Sequence, residues 1–296
     1  KRAYMAGDDD QTIYGFQGAD PNCFMEQEGE RDDQEVSRRV PKSVHREAIK
    51  ILDQLTTRIN KKWTPRDAEG MVHPNYTLDE IDFSKGNWMI LARTNKLLLN
   101  ISEHFYSLGV RFTGKTNKYL PNSILEAYQV WTRLNQGAFV SGEEAQTVYQ
   151  YLLVKKGHVA RGFSDGRSLQ NETSVDLDKL KTNHGLLIKG DWKQLHFPND
   201  TKDYMQTLLE RGDTLMEKSK IQLLTLHGSK GKECENVCLF TDYGTEGQDE
   251  FIYRSAYESP DAEHRLFFVG TTRAKENLHV MQPNSDYYYT IGEPIV

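Results

Sequence analysis

The sequence predicts an α/β fold, a parallel sheet interrupted by a mainly helical insertion, and three observations carry that prediction. The run "NWMILART" (87–94) is an apolar stretch of strand length, followed by a helical stripe and a second short strand in "VRFTG" (110–114). Strand, helix, strand is the repeating unit of a parallel sheet. The same texture returns in "KIQLLTL" (220–226), "NVCLFTD" (236–242) and "NLHVM" (277–281), whereas residues from about 120 to 218 carry their apolar side chains at helical spacing. Two strand-bearing segments around a helical one read as a single α/β domain with an inserted subdomain.

The elements follow in order. A helix is predicted over about 43–61, because Val44, Ala48, Ile51, Leu52, Leu55 and Ile59 recur at helical spacing and Pro41 stands just before them. Residues 63–85, rich in proline and charge, read as a loop. After the strand at 87–94, Ile101, Phe105 and Leu108 give the next helix its apolar face, and Gly109 closes it. Within the insertion, Ile124, Tyr128, Trp131 and Leu134 form one helical stripe, Ala145, Val148, Tyr149 and Leu152 a second, and residues 204–216 a third. A Gly/Ser/Asn-containing stretch at 157–173 separates them. The sheet pattern then resumes, with a helix through "DAEHRLFFVGTTRAKE" (261–276) before the last strand.

Composition narrows the function classes. With 37 Lys and Arg against 43 Asp and Glu, the 296-residue chain has a formal net charge of −6, which argues against coating nucleic acid by bulk electrostatics. A local groove stays open: Arg38, Arg39, Lys42 and Arg46 cluster in "SRRVPKSVHR". Cys23, Cys234 and Cys238 have neither the number nor the spacing of a disulfide framework or a four-ligand zinc site, so no metal ligands are assigned. No apolar run reaches the roughly 18–20 residues that span a bilayer. A cytoplasmic protein without a membrane partner is expected, and the opening on Lys1, directly before an apolar segment, suggests a piece of a longer protein.

One motif is a decoy. "GVRFTGKT" (109–116) spells the phosphate-loop pattern G-x-x-x-x-G-K-T, yet a working loop needs a strand before it and a helix immediately after Lys-Thr. Here a helix precedes Gly109, a strand occupies the interior, and Pro121 opposes a helix just beyond. "VCLFTD", ending at Asp242, likewise imitates a magnesium-binding carboxylate without a phosphate loop to serve, and a loop-facing aspartate is expected.

Other segments carry chemistry. "GDDDQTIYGFQGAD" (7–20) resembles motif III of the UvrD/Rep-like superfamily 1 DNA helicases, with Gln17 where the family has Arg. "SRRVPKSV" is similar to motif IV, and "MILARTNKLLLNISEHFYSLGVRFTG" to the segment that follows it. "LLTLHGSKGKECENV" resembles motif V, with Lys232 and Cys234 in place of apolar residues. "EHRLFFVGTTRAKENLHV" resembles motif VI, with Phe268 for the common Tyr. The motifs stand in family order and span nearly the whole chain, the insertion excepted.

The resemblance implies a RecA-like parallel sheet of the P-loop NTPase type, the second motor domain of the helicase. Residues 1–25 would be the trailing strand and motif III loop of the first RecA-like domain, 26–119 and 219–296 the second domain, and 120–218 a reduced form of its helical insertion. It implies ATP with Mg2+, shared with an N-terminal RecA-like domain of the same polypeptide whose phosphate loop and D-E-x-x box precede motif III. Carried over residue by residue, Arg273 is the arginine finger, and Gln11 and Arg39 sense the γ-phosphate. Glu233, Lys230, Gly231 and Arg265 lie at the nucleotide. Tyr14 and Phe16 would stack on bases, a sequence-tolerant contact, while Arg93, Thr94, Asn95, Thr225 and His227 touch DNA. The implied activity is ATP-driven movement on single-stranded DNA and unwinding at duplex junctions, 3′ to 5′, with the fragment alone not expected to hydrolyse ATP. The alternative is a non-catalytic module that binds single-stranded nucleic acid or a protein and keeps the motifs as relics.

Overall fold

The computed structural model describes residues 4–116, 119–245 and 249–295, with the side chains of Phe16 and Phe24 outside the description. Six strands form one sheet, β1 (Met71–Tyr76), β2 (Trp88–Ala92), β3 (Thr113–Gly114), β4 (Ile221–Thr225), β5 (Cys234–Leu239) and β6 (Ala274–Met281). Their order is β1-β6-β5-β2-β4-β3 and every pairing is parallel, which is the predicted α/β class. At the centre, Ile90 of β2 lies opposite Leu223 of β4 and Cys238 of β5. All five residues of β2 are buried, as expected of a strand covered on both faces, and this is why it reads as an unbroken apolar run.

The helices are α1 (Asn22–Met25), α2 (Lys42–Leu52), α3 (Asn95–Ser107), α4 (Asn122–Asn135), α5 (Gly142–Tyr149), α6 (Leu177–Asn183), α7 (Asn199–Glu210), α8 (Asp249–Glu258) and α9 (Pro260–Thr271). The chain divides into two compact units, residues 1–104, 112–116 and 219–296 in one and 105–111 and 117–218 in the other. In the first, α2 and α9 pack against each other, and Val44, Ile51, Leu91, Leu239, Phe267 and Leu278 share its core. In the second, α4 and α5 enclose Trp131 and Tyr149, whose polar ends find the carbonyls of Gly190 and His184, each at 2.8 Å. Ser141 and Glu144 start α5 with a reciprocal capping box. No described helix is long and apolar enough to cross a membrane.

Several boundaries differ from the sequence reading. The predicted helix over 43–61 ends at Leu52, because Asp261 accepts the Thr56 and Thr57 amides at 2.9 Å each and draws the chain away. Tertiary capture outweighs periodicity there. The predicted loop at 63–85 contains β1 despite Pro74. An edge strand needs its N–H groups on one side only, and the register shifts between Pro74 and Tyr76 around Asn75, whose φ is 58°. The helix predicted through 276 stops at Thr271, the third helical stripe settles as α7, Leu152 falls just beyond α5, and α8 was not foreseen. Asp242, expected to face a loop, does so, accepting from the Asn284 and Ser285 amides at 2.7 and 3.0 Å, and it is buried to 1% exposure.

The decoy at 109–116 has a helix before it, as the sequence argument requires, but the strand expected over 110–114 is confined to Thr113–Gly114, so Gly114 lies in the strand and not in a turn after it. Gly109, φ 58°, follows α3, and Gly114 sits in β3 with φ 152°, where a Cβ would come within 2.5 Å of the Leu223 carbonyl oxygen. Close strand packing explains that second glycine.

Candidate functional site

The loop at 8–11 organises the site. Asp8 caps a single turn of 3-10 helix, Asp9–Gln11, and three consecutive carboxylates result. Asp9 and Asp10 are each 1% exposed, which is costly for carboxylates unless they are paired. Lys61 pairs with all three, its Nζ lying 2.6, 2.5 and 3.0 Å from Asp8, Asp9 and Asp10. Arg58 adds a two-pronged contact to Asp10 at 3.1 and 2.9 Å, and the Ile59 amide donates to Asp9 at 2.8 Å. Burial works to raise the Asp9 pKa, but Lys61 and the Ile59 amide outweigh it and hold it below 3.8. For Lys61 burial works downward, and Asp8, Asp9 and Asp10 reverse it and raise the ammonium well above 10.5.

Helix α9 runs beneath this loop and is buried continuously from Glu263 to Thr271. Most of its polar side chains are engaged: Arg93 forks onto Glu263 at 2.7 and 3.2 Å, and the His264 ring meets the Tyr289 hydroxyl at 2.8 Å, whereas the buried Thr271 hydroxyl has no hydrogen-bond partner among the described residues. Arg265 donates to the Asp9 carbonyl at 3.0 Å and to the Thr57 carbonyl. Arg265 therefore ties the loop to the segment carrying Arg58 and Lys61. At Gly270 any Cβ would collide with Leu226, so α9 approaches the segment after β4 as closely as a glycine allows.

Just past α9, Arg273 is buried to 1% exposure. Its guanidinium donates to the carbonyls of Val269 at 2.7 Å and Lys232 at 3.2 Å, to the Thr272 hydroxyl at 3.0 Å and to Gln11 Oε1 at 3.3 Å. Gln11 Nε2 in turn donates to Asp8. Burial pushes the Arg273 pKa down to about 9, the nearby Arg39 adds to the fall, and Glu233 and Asp8 oppose it. It remains a cation at neutral pH. Arg39 is lowered in the same way by burial, and its Nε is buried with no hydrogen-bond partner among the described residues. Glu233 lies in the exposed turn before β5 and pairs with Lys275 at 3.2 Å. Arg273, Gln11 and Arg39 are thus brought together, with Glu233 near enough to act on both arginines.

The residues expected at DNA gather around the turn after β4. Tyr14 donates its hydroxyl to the His227 carbonyl at 3.1 Å, the two rings are 6.0 Å apart, and Lys230 Nζ lies 5.3 Å from the Tyr14 centroid. Lys230 also donates to the Gln11 carbonyl at 2.8 Å. Thr225 Oγ1 accepts from Gly228 at 3.1 Å, and Gly231, with φ 80°, turns the chain toward β5. Thr94 caps α3 by accepting from Leu97 at 3.2 Å, and exposed Asn95 opens that helix. The fork of Arg93 is already engaged by Glu263. Burial, then Arg93, pushes the His227 pKa down to about 4, so its ring is neutral at physiological pH. Phe16 contributes its backbone to the 3-10 turn Gly15–Gln17, and its side chain lies outside the described residues.

Sequence reasoning missed Arg58, Lys61, Asp261 and Glu263. The only signal for them was a charge run, "DDD", with a basic run "RINKK" some fifty residues later, and the assumption of a continuous helix over 43–61 hid the complementarity. Asp8, Asp9 and Asp10 form the only carboxylate group among the described residues close enough to hold a metal ion. With Lys61 bridging all three oxygens, that group does not fit Mg2+.

Residues 200–285 match the UvrD-like helicase C-terminal domain family. The chain is also similar to the ATP-dependent DNA helicase Rep of Escherichia coli (strain K12), at 35% identity over 81 residues, which is 26% of this chain and 11% of that protein. The family match includes β4 to β6 and α9, and with them Thr225, His227, Lys230, Gly231, Glu233, Arg265 and Arg273.

Proposed function

We propose, from the premise that this chain carries a UvrD/Rep-like helicase C-terminal region, that it is the second motor half of an ATP-dependent DNA helicase. In this reading it moves along single-stranded DNA from 3′ to 5′ and opens duplex junctions in the cytoplasm. An N-terminal RecA-like domain of the same polypeptide completes the nucleotide site and supplies the ligands for Mg2+, and no step here is routed through the metal. ATP supplies a phosphoryl group whose transfer concentrates negative charge at the cleft.

The observation that supports this reading best is the convergence of Arg273, Arg39 and Gln11. A buried guanidinium, Arg273, lies in the field of a half-buried one, Arg39, whose Nε has no partner among the described residues, and the nearest carboxylates offset them incompletely. A polyanion fits such a place, and a guanidinium that meets charge only as it develops lowers the barrier selectively. Lys230, Gly231 and Glu233 hold the rim of the same cleft, and buried Arg265 braces it from below through the Asp9 and Thr57 carbonyls.

Coupling to DNA follows from shared contacts. Gln11 is held by Arg273 through its side chain and by Lys230 through its carbonyl, and Lys230 lies over Tyr14. When Arg273 and Arg39 turn to phosphate, Gln11 loses its contact to Arg273 and keeps those to Asp8 and Lys230, so its amide can turn and the change can pass through Lys230 to Tyr14. Tyr14 and Phe16 then grip or release bases, while Asn95, Thr94, Thr225 and His227 position the strand and Arg93 braces them through Glu263.

The test is DNA-stimulated ATP hydrolysis by this chain alone and again with the N-terminal half added. Silence alone, activity on completion, and loss of that activity in Arg273→Ala are the expected results. Hydrolysis by the chain alone that Lys115→Ala abolishes would overturn the reading.

A further inference from the structure

Away from this cleft, a cavity of about 290 Å³ opens beside the C-terminal ends of β5 and β6, under the first turns of α3. Its walls are apolar, formed by Leu97 and Ile101 of α3 and by Phe240, and one end is a carboxylate, Asp242. Exposed Asn100 and Asn284 stand at the mouth.

Asp242 is 1% exposed and unevenly satisfied. Its Oδ1 accepts from the amides of Asn284 at 2.7 Å and Ser285 at 3.0 Å, whereas Oδ2 has no hydrogen-bond partner among the described residues. The Thr245 hydroxyl, also on the cavity wall, is buried and unpartnered in the same sense. Among the described residues, no lysine or arginine lines the cavity. Asp249, which accepts from the Ser285 hydroxyl at 2.8 Å, adds a second negative charge nearby. A buried carboxylate oxygen left without a donor is expensive, and evolution of a fold ordinarily removes it or pairs it.

We propose that this cavity binds an alkylammonium or alkylguanidinium group, its chain along Leu97, Ile101 and Phe240 and its cationic end on Asp242 Oδ2 and Thr245. Three features select that chemistry. The volume is at the small end for ligand pockets, the size of one side chain or a short amine. The apolar walls and single acidic end match an amphipathic cation, and the paired carboxylates repel phosphate, which separates this place from any nucleic-acid path. Burial and Asp249 hold the Asp242 pKa above its usual value, a strain that a cation at Oδ2 would relieve. The same chemistry is offered by a free small amine or by a lysine or arginine side chain of a partner protein.

The test is calorimetric titration of the chain with n-butylammonium, n-butylguanidinium, neutral n-butanol and a short capped peptide centred on arginine. Binding of the cations, none by butanol, and a loss of about tenfold or more in Asp242→Asn is expected, the size of one charge-assisted hydrogen bond. Binding by the peptide assigns the site to a protein side chain, and binding by the small cations alone assigns it to a free amine. Equal affinity for butanol, unchanged affinity in Asp242→Asn, or no binding by any cation overturns the proposal. Should Asp242→Asn not fold, the carboxyl carbon of Asp242 in the unaltered chain gives a second readout: saturating butylammonium must lower its pKa, and no shift or a rise defeats the idea.

Discussion

Two buried charge clusters meet at Gln11, one closed and one open. On the Asp8–Asp10 side, Lys61 and Arg58 answer every carboxylate at hydrogen-bond distance. On the Arg39–Arg273 side, two cations share one neighbourhood, backbone carbonyls take two of the four Arg273 hydrogen bonds, and the Arg39 Nε has no partner among the described residues. Both clusters are buried at comparable depth, so desolvation alone does not separate them. A closed cluster fixes the loop, because breaking it strands buried charge. An open cluster stores an unmet demand for an anion, which is useful only if one arrives.

The sharpest way to break the comparison is to remove one cation from each side. In the completed motor, Arg273→Met is expected to lower kcat for ATP hydrolysis by about a thousandfold or more, the usual worth of an arginine finger. Its effect on unfolding should be small, since the aliphatic stem is kept and an under-compensated charge is removed. Lys61→Met is the reverse case. It leaves Asp9 and most of Asp10 buried without their shared partner, and a loss of about 3–5 kcal/mol in urea-unfolding stability is expected. Similar stability losses in the two variants would mean that the clusters do not differ in kind.

How far each cluster was legible in the sequence differs for a physical reason. Arg273, Gln11 and Arg39 stand in the short local motifs by which the sequence resembles the helicases, so each could be named from its near neighbours along the chain. Lys61, Arg58 and Glu263 answer charges far away along the chain, and no periodicity encodes that pairing. Strand β2 was readable because full burial makes it apolar throughout, and β4, β5 and β6 because each keeps a short, mainly apolar run, Leu223-Leu224, Val237 to Leu239 and Leu278 to Met281, although polar residues stand among their other positions. The edge strand β1 was not, since Pro74, His73 and Asn75 satisfy an edge while resembling a loop. The end of α2 was hidden for the same reason as Lys61: Asp261, some two hundred residues on, decides it.

Protons give a gentler probe of closure. Burial, then Arg93, lowers the His227 pKa to about 4, and burial, then His73, lowers that of His279 to about 4, against 6.5 for an ordinary imidazole. An unfolded chain therefore binds more protons than the folded one between these values. Stability contributed by both rings is complete above pH 6.5 and is lost as the pH falls toward 4. The depressed Asp9 carboxyl adds nothing in that window, and its contribution disappears only as the pH drops below 3.8. Urea midpoints measured against pH should thus fall in two stages. Burial also lowers His45, His158 and His264, so His227→Gln combined with His279→Gln should make the first stage shallower without abolishing it and leave the second, and a first stage of unchanged depth would assign it to other groups.

The smallest expected effect separates two neighbours on the proposed DNA face. Lys230 is an exposed cation, whereas His227 is neutral near pH 7.5, although Tyr14 touches both. A phosphate contact releases counterions, and for single strands each lost contact reduces the slope of log affinity against log salt by about 0.7. Lys230→Ala should produce that reduction together with a modest loss of affinity for single-stranded DNA. His227→Ala should weaken binding to a similar degree at one salt concentration yet leave the slope unchanged, because a neutral ring displaces no counterion. A slope altered by His227→Ala would mean that the ring is charged when DNA is bound. The segment around Tyr14 would then belong with the open cluster, awaiting an anion, and not with the closed one.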